Sequence, residues 1–196
     1  VEVGVGLIPG AGGNKEMLIR AIEGLPAAGG GSGMAAGLAL DLVPVVSKVF
    51  ETIALAKVST SAHDARNLGY LRKSDRIVVN RDHLLYEAKQ AALELDRRGY
   101  RPPKPAEIPV VGPEGRAVLE LAVYNMKLSG WATEHDALIG RKLAWVLSGG
   151  KVPGGTRVSE QYLLDLEREA FLSLLGEKKT QERMAHLLKT GKPLRN

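Results

Sequence analysis

Apolar residues recur every three or four positions along most of the second half of the chain, which predicts a succession of amphipathic helices. Four residues that favour helix N-termini precede these stripes: Pro113, Thr133, Ser159 and Thr180. The apolar positions expected to face the core are Val118, Leu121, Tyr124, Leu138, Ile139, Leu143, Val146, Leu147, Tyr162, Leu163, Leu166, Ala170, Phe171 and Leu174. The pattern therefore predicts an all-helical unit over residues 114–196.

The beginning of the chain mixes extended and helical patterns. Residues 1–8 predict a short strand, which runs into a tight turn at Pro9–Gly13. Residues 14–23 then predict a helix. The apolar run 38–57 predicts a buried helix, with Pro44 near its start or at a kink.

The middle of the chain predicts a helix, a strand and a second helix. In the stretch 59–69, Ser61 precedes Asp64 at the spacing of a capping box, which indicates a short helix. Residues 70–80 predict a strand, and residues 80–99 predict an amphipathic helix. The apolar stripe of that helix consists of Leu84, Leu85, Ala88, Ala91, Ala92 and Leu95.

Two unusual compositions indicate how the chain is divided. Residues 24–37 are rich in glycine, and residues 100–113 are rich in proline and cannot form a helix. We therefore predict a first unit at 1–99 with a glycine-rich insertion, an extended linker at 100–113, and a helical unit at 114–196. The expected fold class is mainly α with a few short β-strands.

Composition limits the possible functions. The 196 residues contain no cysteine, which excludes disulfides and thiolate sites and fits the cytoplasm as the expected location. No apolar run is long enough to span a membrane. The net charge of +5 is spread over several helices and aromatic residues make up only 5%, so a nucleic-acid partner is not expected.

Histidines and aromatic residues show no arrangement typical of a metal or cofactor site. We expect exposed helix histidines and no metal, because the spacing of His63, His83, His135 and His186 is not that of metal ligands. Four aromatic residues are expected to be packing residues: Trp131, Trp145, Tyr162 and Phe171.

The glycine-dense turn GVGLIPGAGGNK allows several interpretations. A dinucleotide fingerprint would need a glycine where Pro9 stands, and a P-loop would need Ser or Thr where Glu16 follows Lys15. Both nucleotide interpretations are therefore weak. The glycines could equally serve only a tight turn between a strand and a helix.

A third interpretation rests on resemblance. The opening VEVGVGLIPGAGGNKEML resembles the segment PE-x-x-x-G-x-I-P-G-x-G-G-[TN] of the enoyl-CoA hydratase/isomerase (crotonase) superfamily, with Val1 in place of the usual proline. The matching residues are Glu2, Gly6, Ile8, Pro9, Gly10, Gly12 and Gly13. KVSTSAHDARNLGYL resembles a later segment of the same family, and residues 158–194 resemble its C-terminal helices.

The resemblance implies a chemistry for these residues. Glu2 stands where the family has its second catalytic glutamate, which exchanges a proton with the α-carbon of a CoA thioester. Gly6, Pro9, Gly10, Gly12 and Gly13 would shape the turn of the acyl-CoA pocket. Lys189 and Lys192 would be able to meet the CoA phosphates, although solvated lysines are the simpler expectation. The family's first glutamate and oxyanion donors belong to segments upstream of Val1.

The whole pattern resembles the multifunctional β-oxidation proteins that join a 3-hydroxyacyl-CoA dehydrogenase to a crotonase module. Val1 then looks like a cut within that module, and the fold would be the C-terminal half of an α/β crotonase spiral with its C-terminal helices. This implies an acyl-CoA ligand, no cofactor in this segment, and NAD in the dehydrogenase part of the parent protein. The isolated chain is expected to be inactive.

Expected partners are further copies of the chain, bound through the C-terminal helices, and a thiolase in the parent protein. The alternative is that residues 114–196 form an oligomerisation or docking module without chemistry of its own. The stretch between the glycine turn and the helix that follows Ser61 is longer than in simple crotonases, and the surplus includes residues 24–44. This glycine-rich insertion suggests a lid or a wider acyl pocket.

Overall fold

A computed structural model describes residues 2–23 and 41–196. The described chain is mainly helical and includes one two-stranded antiparallel sheet. The predicted glycine-rich insertion lies outside the described residues. The helices are α1 (Gly13–Glu23), α2 (Val43–Ala54), α3 (Ala62–Asn67), α4 (Leu84–Arg97), α5 (Gly112–Leu128), α6 (Glu134–Leu147), α7 (Glu160–Leu175) and α8 (Lys178–Thr190). Short 3₁₀ turns form at Val3–Val5 and Arg81–His83, and the strands are β1 (Glu107–Pro109) and β2 (Arg157–Ser159).

The chain divides into two compact units. One unit combines the residues up to Val58 with Ala106–Asn196, and the other contains Ser59–Pro105. This division differs from the predicted boundary at 100–113, because α1 packs against α6 and α7, and α2 packs against α5 and α6, rather than forming a unit with α3 and α4. The N-terminal segment therefore shares its core with the C-terminal helices.

Helix α6 lies at the centre of the larger unit. Its side chains Ile139, Leu143 and Leu147 are almost completely buried, and it contacts α1, α2, α5 and α7. The predicted capping box at its start is present: the Thr133 hydroxyl accepts the Asp136 N–H at 3.1 Å, and the Asp136 carboxylate accepts the Thr133 N–H at 2.9 Å. These reciprocal bonds satisfy two N–H groups that a helix start would otherwise leave unpaired.

Other predicted helix starts are also confirmed. Ser61 and Ser159 accept backbone N–H groups from Asp64 and Tyr162, and prolines stand in the first turns of α2 and α5. Helix α8 begins at Lys178, two residues before the predicted start at Thr180. These agreements arise because capping acts over one turn of chain.

Both predicted strands are wrong. Near the N-terminus the chain forms the 3₁₀ turn, in which the Glu2 carbonyl accepts the N–H groups of Val5 at 3.1 Å and Leu7 at 2.9 Å. Residues 70–80 form no strand, because the Asp75 carboxylate accepts the Arg72 N–H at 2.7 Å and closes a turn there. The observed strand β1 lies instead in the region predicted as a linker and pairs with β2, so that Ile108 is opposite Val158.

Two predicted core stripes are not buried. In α5, Leu119 and Val123 face the core, while Val118, Leu121 and Tyr124 are exposed. Helix α6 approaches the Val123 side so closely that a Cβ on Gly140 would lie 2.8 Å from that valine. The stripe of α4 is also exposed for the most part, and no residue of that helix is fully buried. Periodicity located these helices but not the faces that their neighbours cover.

Candidate functional site

The glycine turn is held by a carboxylate of the chain itself. Glu167 of α7 is only 1% exposed, and it accepts the Gly12 N–H at 2.6 Å and the Asn14 N–H at 3.1 Å. The Asn14 side-chain amide donates to the same carboxylate at 2.8 Å and to the Pro9 carbonyl at 2.9 Å. The start of a helix attracts anions through such N–H groups. Because Glu167 already accepts them, the turn offers no cradle for a nucleotide phosphate.

Lys15, the lysine of the P-loop hypothesis, also binds carboxylates. Its ammonium nitrogen lies 2.7 Å from Glu16 and 2.6 Å from Glu160. Burial by itself lowers the pKa of Lys15, but the hydrogen bonds to the two carboxylates outweigh that effect and raise it. Glu160 also accepts the Ala106 N–H at 2.7 Å, so Lys15 helps to tie α1 to α7 and to the segment before β1.

Close packing explains why two of the turn positions are glycines. Gly6 has a φ of +90°, and a Cβ there would lie 2.7 Å from the Thr180 hydroxyl oxygen. At Gly10, a Cβ would lie 2.6 Å from the Phe171 ring. Both positions therefore admit only glycine without rearrangement of α7 or α8.

The predicted catalytic residue Glu2 is exposed and directly precedes the 3₁₀ turn. The next two residues, Val3 and Gly4, line a cavity in the larger unit. The five predicted pocket residues, Gly6, Pro9, Gly10, Gly12 and Gly13, do not line this cavity. The structure thus brings the backbone beside Glu2 to the cavity edge and directs the glycine turn toward α7.

The cavity has a volume of about 280 Å³ and lies among α2, α5, α6 and the C-terminal residues 193–195. Its walls are mainly apolar and include Phe50, Leu55, Val123, Met126, Ile139 and Leu143. Trp131, which was predicted to be a packing residue, is 72% exposed and also lines it. Charged groups are present at one part of the lining, where Asp136, Arg183 and Arg195 meet.

These charged groups form a network that holds the C-terminus. The Arg183 side chain is only 2% exposed, and it donates to Asp136 at 2.7 Å and to the Asn196 side chain at 2.8 Å. Burial by itself raises the pKa of Asp136, but hydrogen bonds from Thr133 and Arg183 outweigh it and hold the pKa below its ordinary value. Arg195 donates to the Trp131 carbonyl at 2.6 Å and lies 3.6 Å from Asp136.

A buried histidine connects α6 with α8 and the N-terminal turn. Contrary to the prediction of exposed histidines, His135 is only 3% exposed. Its Nε2 lies 2.8 Å from the Thr180 hydroxyl, which donates to the Gly6 carbonyl at 2.8 Å. Burial and the nearby Arg183 cation lower the pKa of His135. Sequence spacing gave no signal for this connection, because Gly6 and Thr180 are 174 positions apart.

The lysines suggested for CoA phosphates lie near the chain end. Lys189 and Lys192 are both exposed, one in the last turn of α8 and the other after Gly191. Neither lines the cavity. Their phosphate contacts stay a prediction.

Two other features lack a candidate among the described residues. Within residues 2–23 and 41–196, no three His, Asp or Glu side chains are placed to hold a metal ion. Over the same ranges, no helix is long and apolar enough to cross a membrane.

Comparisons with known proteins give one strong similarity. No family model matches the chain, and no solved structure is significantly similar to it. A curated protein of Bacillus subtilis (strain 168), named probable 3-hydroxyacyl-CoA dehydrogenase, is 53% identical over 196 residues. This alignment covers 100% of the chain and 23% of the relative. The chain is therefore similar along its entire length to about a quarter of a protein with that name.

Proposed function

We propose that this chain is one part of a 3-hydroxyacyl-CoA dehydrogenase of fatty-acid oxidation, and that this part is the C-terminal half of an enoyl-CoA hydratase/isomerase module. The observation that carries the proposal is the 53% identity over the whole chain to a probable 3-hydroxyacyl-CoA dehydrogenase. The crotonase-like opening, with Glu2 beside an apolar cavity, supports the finer assignment. The crotonase-like fold is part of the proposal, as are its CoA thioester substrate and its cytoplasmic location.

The proposed reaction adds water to an enoyl-CoA. The π bond between the α- and β-carbons and one O–H bond of the water break. The hydroxyl bonds to the β-carbon, the second acid or base takes up the proton of the water, and a proton bonds to the α-carbon. Glu2 would exchange the proton at the α-carbon, which requires a carboxylate within hydrogen-bond reach. The product is a 3-hydroxyacyl-CoA, the compound class that the relative's name gives as its substrate. One protein would thus carry two consecutive reactions.

Negative charge that develops on the thioester oxygen requires preorganised donors. The N–H groups of Gly12 and Asn14 donate to Glu167, so this turn does not supply them. We propose that the donors to the thioester oxygen, and the second acid or base, belong to another part of the protein.

NAD has no diphosphate site at the glycine turn. Its diphosphate would need the N–H groups that Glu167 accepts at the glycine turn. We propose that NAD, which would accept the hydride in the dehydrogenase reaction, binds outside this segment.

The first experiment compares Glu2→Gln with the natural full-length protein in two assays: hydration of a short enoyl-CoA and oxidation of a 3-hydroxyacyl-CoA. We expect hydration to fall by roughly a hundredfold or more, because general acid or base catalysis is lost, while oxidation is unchanged. Glu169→Gln is the matched control, since Glu169 is an exposed glutamate of α7.

The outcomes separate the two levels of the proposal. A natural protein without hydratase or isomerase activity would contradict the crotonase assignment. Absence of dehydrogenase activity would contradict the larger assignment. Full hydration by Glu2→Gln would show that Glu2 is not the catalytic carboxylate.

A role in assembly is a second proposal, and exposed apolar residues on α5 favour it. Val118, Leu121, Tyr124 and Leu128 are each about half exposed or more. These positions recur at three- and four-residue spacing, so they form one unpartnered stripe on the helix. Light scattering tests whether the chain binds further copies of itself, and a strictly monomeric mass would contradict self-association. Binding of a thiolase by the longer protein is a separate proposal that a pull-down with the purified enzyme tests.

A further inference from the structure

The cavity of the larger unit opens to solvent beside Trp131 and has room for a ligand. Protein interiors are close-packed and contain few voids larger than a water molecule. An apolar cavity of about 150 Å³ in an unrelated protein already binds benzene. The cavity described above has a volume of about 280 Å³. It can therefore accommodate a hydrocarbon group.

The lining also indicates what kind of ligand fits. Three helices supply apolar walls, with Phe50 from α2, Met126 from α5 and Leu143 from α6. Trp131, largely exposed, adds an aromatic surface where the lining meets solvent. A space with mainly apolar walls and a few polar groups is typical of sites for small organic ligands.

The charged part of the lining favours an anionic ligand. Arg183 and Arg195 both pair with a single carboxylate, Asp136, at 2.7 Å and 3.6 Å. The charged side chains of the lining at this edge are two cations and one anion. Arg195 is 67% exposed, and one of its terminal nitrogens makes both contacts, although a guanidinium has five N–H donors. This edge complements a ligand whose apolar part is attached to an anionic group.

Gly4 leaves part of this space unfilled. A Cβ at Gly4 would have no atom within 4 Å, and its φ is not in the left-handed region. Neither packing nor backbone conformation therefore requires glycine at this position. Gly4 lines the cavity two residues after Glu2, and Ala54 of α2 is another small residue of the lining.

We propose that this cavity binds the hydrocarbon chain of the acyl-CoA and that Gly4 is a specificity-determining residue that admits longer chains. This inference rests on the proposed function. The hydrocarbon chain lies among α2, α5 and α6. The Arg195 guanidinium at the edge of the cavity attracts the anionic coenzyme. A larger side chain at position 4 shortens the space beside Glu2.

The binding test uses Trp131 as the reporter. The test uses the 196-residue chain with Trp145→Phe. Trp131 is then its remaining tryptophan and lines the cavity, so a change in fluorescence emission reports on the cavity. Titration with octanoyl-CoA is expected to give a saturable change that CoA alone does not give. Gly4→Leu in the same background is expected to weaken octanoyl-CoA binding about tenfold. Val5→Leu is the matched control, because Val5 belongs to the same turn and does not line the cavity.

The kinetic test uses the natural full-length protein with four-carbon and ten-carbon enoyl-CoA substrates. Gly4→Leu is expected to lower kcat/KM for the longer substrate about tenfold relative to the shorter one. Ala54→Leu fills the cavity from α2. It tests the same chain-length preference if Gly4→Leu fails to fold. Unchanged dehydrogenase activity and circular dichroism establish that each variant is intact.

Two results would overturn the inference without touching the proposed function. In the first, Gly4→Leu and Ala54→Leu fold and keep the natural protein's preference between the four-carbon and ten-carbon substrates, while Glu2→Gln still loses hydration. The other is octanoyl-CoA binding that neither cavity variant weakens. Absence of hydration and oxidation in the natural protein would instead refute the proposed function.

Discussion

Removal of the Glu167 carboxylate is expected to destabilise the larger unit strongly. Glu167 is 1% exposed and accepts three hydrogen bonds, from Gly12 and Asn14 backbone N–H groups and from the Asn14 side chain. Glu167→Ala leaves these donors unsatisfied, at about 1 to 3 kcal/mol each. Water that enters the vacated space offsets part of this cost. We expect a loss of about 4 kcal/mol, a large share of the stability of a typical domain.

Glu167→Gln is the more informative variant. A glutamine oxygen can still accept the Gly12 N–H, but its NH₂ group would face the two donors of Asn14. We expect a loss of about 2 kcal/mol, intermediate between the natural protein and Glu167→Ala. The control is Glu169→Ala, which removes an exposed glutamate from the same helix.

The assay is urea unfolding followed by tryptophan fluorescence. Trp131 and Trp145 both belong to the compact unit that contains Glu167, so the signal reports on that unit. The free energy of unfolding follows from the linear dependence on urea. If Glu167→Ala costs no more than Glu169→Ala, the carboxylate does not hold the turn, and our account of the glycine segment is refuted.

Two further predictions concern the network that links α6, α8 and the N-terminal turn. Gly6→Ala should lower the free energy of unfolding in urea by about 1 to 3 kcal/mol, because Gly6 has a φ of +90° and a Cβ there would be too close to Thr180. Gly4→Ala is the control and should change stability little. Equal effects of the two substitutions would contradict this explanation. Burial and the Arg183 cation hold the pKa of His135 in the folded state below its ordinary value, so the unfolded chain binds more protons as pH falls through the usual titration range of histidine. The free energy of unfolding should therefore decrease from about pH 7.5 to about pH 5.5. His135→Gln should reduce this pH dependence. If the slope of the free energy of unfolding against pH is the same in this variant, His135 is not the source of the dependence.

The glycine segment illustrates how one motif can have both a structural and a chemical explanation. Its N–H groups bind Glu167, and two of its glycines are required by contacts with Thr180 and Phe171. These contacts explain the glycines without a ligand. They also fix the backbone that leads from Glu2 past the cavity.

Exposed apolar stripes show a limit of periodicity. The spacing of α5 correctly indicated a helix, but it assigned Val118 and Tyr124 to the core in place of Leu119 and Val123. Both faces of this helix are apolar, so the pattern could not distinguish them. The buried face is the one that α6 approaches through Gly140, a contact that depends on two helices and not on one.

The sequence pattern also did not predict that Glu167 is buried. A glutamate such as Glu167 in an amphipathic helix is normally exposed, so the pattern predicts solvent and not a buried partner. Its partners lie more than 150 positions away, at Gly12 and Asn14. No spacing rule within a helix or turn connects residues so distant in the chain.

The sequence by itself determined the helices of the C-terminal half, their caps at Thr133 and Ser159, and the turn at the N-terminus, because these signals act between residues within one or two turns of each other. Only the tertiary structure decided that the N-terminal segment shares a core with residues 106–196. It also decided that a cavity opens beside Val3 and Gly4. A cavity is set by the distances between helices and by the side chains that fail to fill the space, and neither quantity is encoded in any single stretch of the chain.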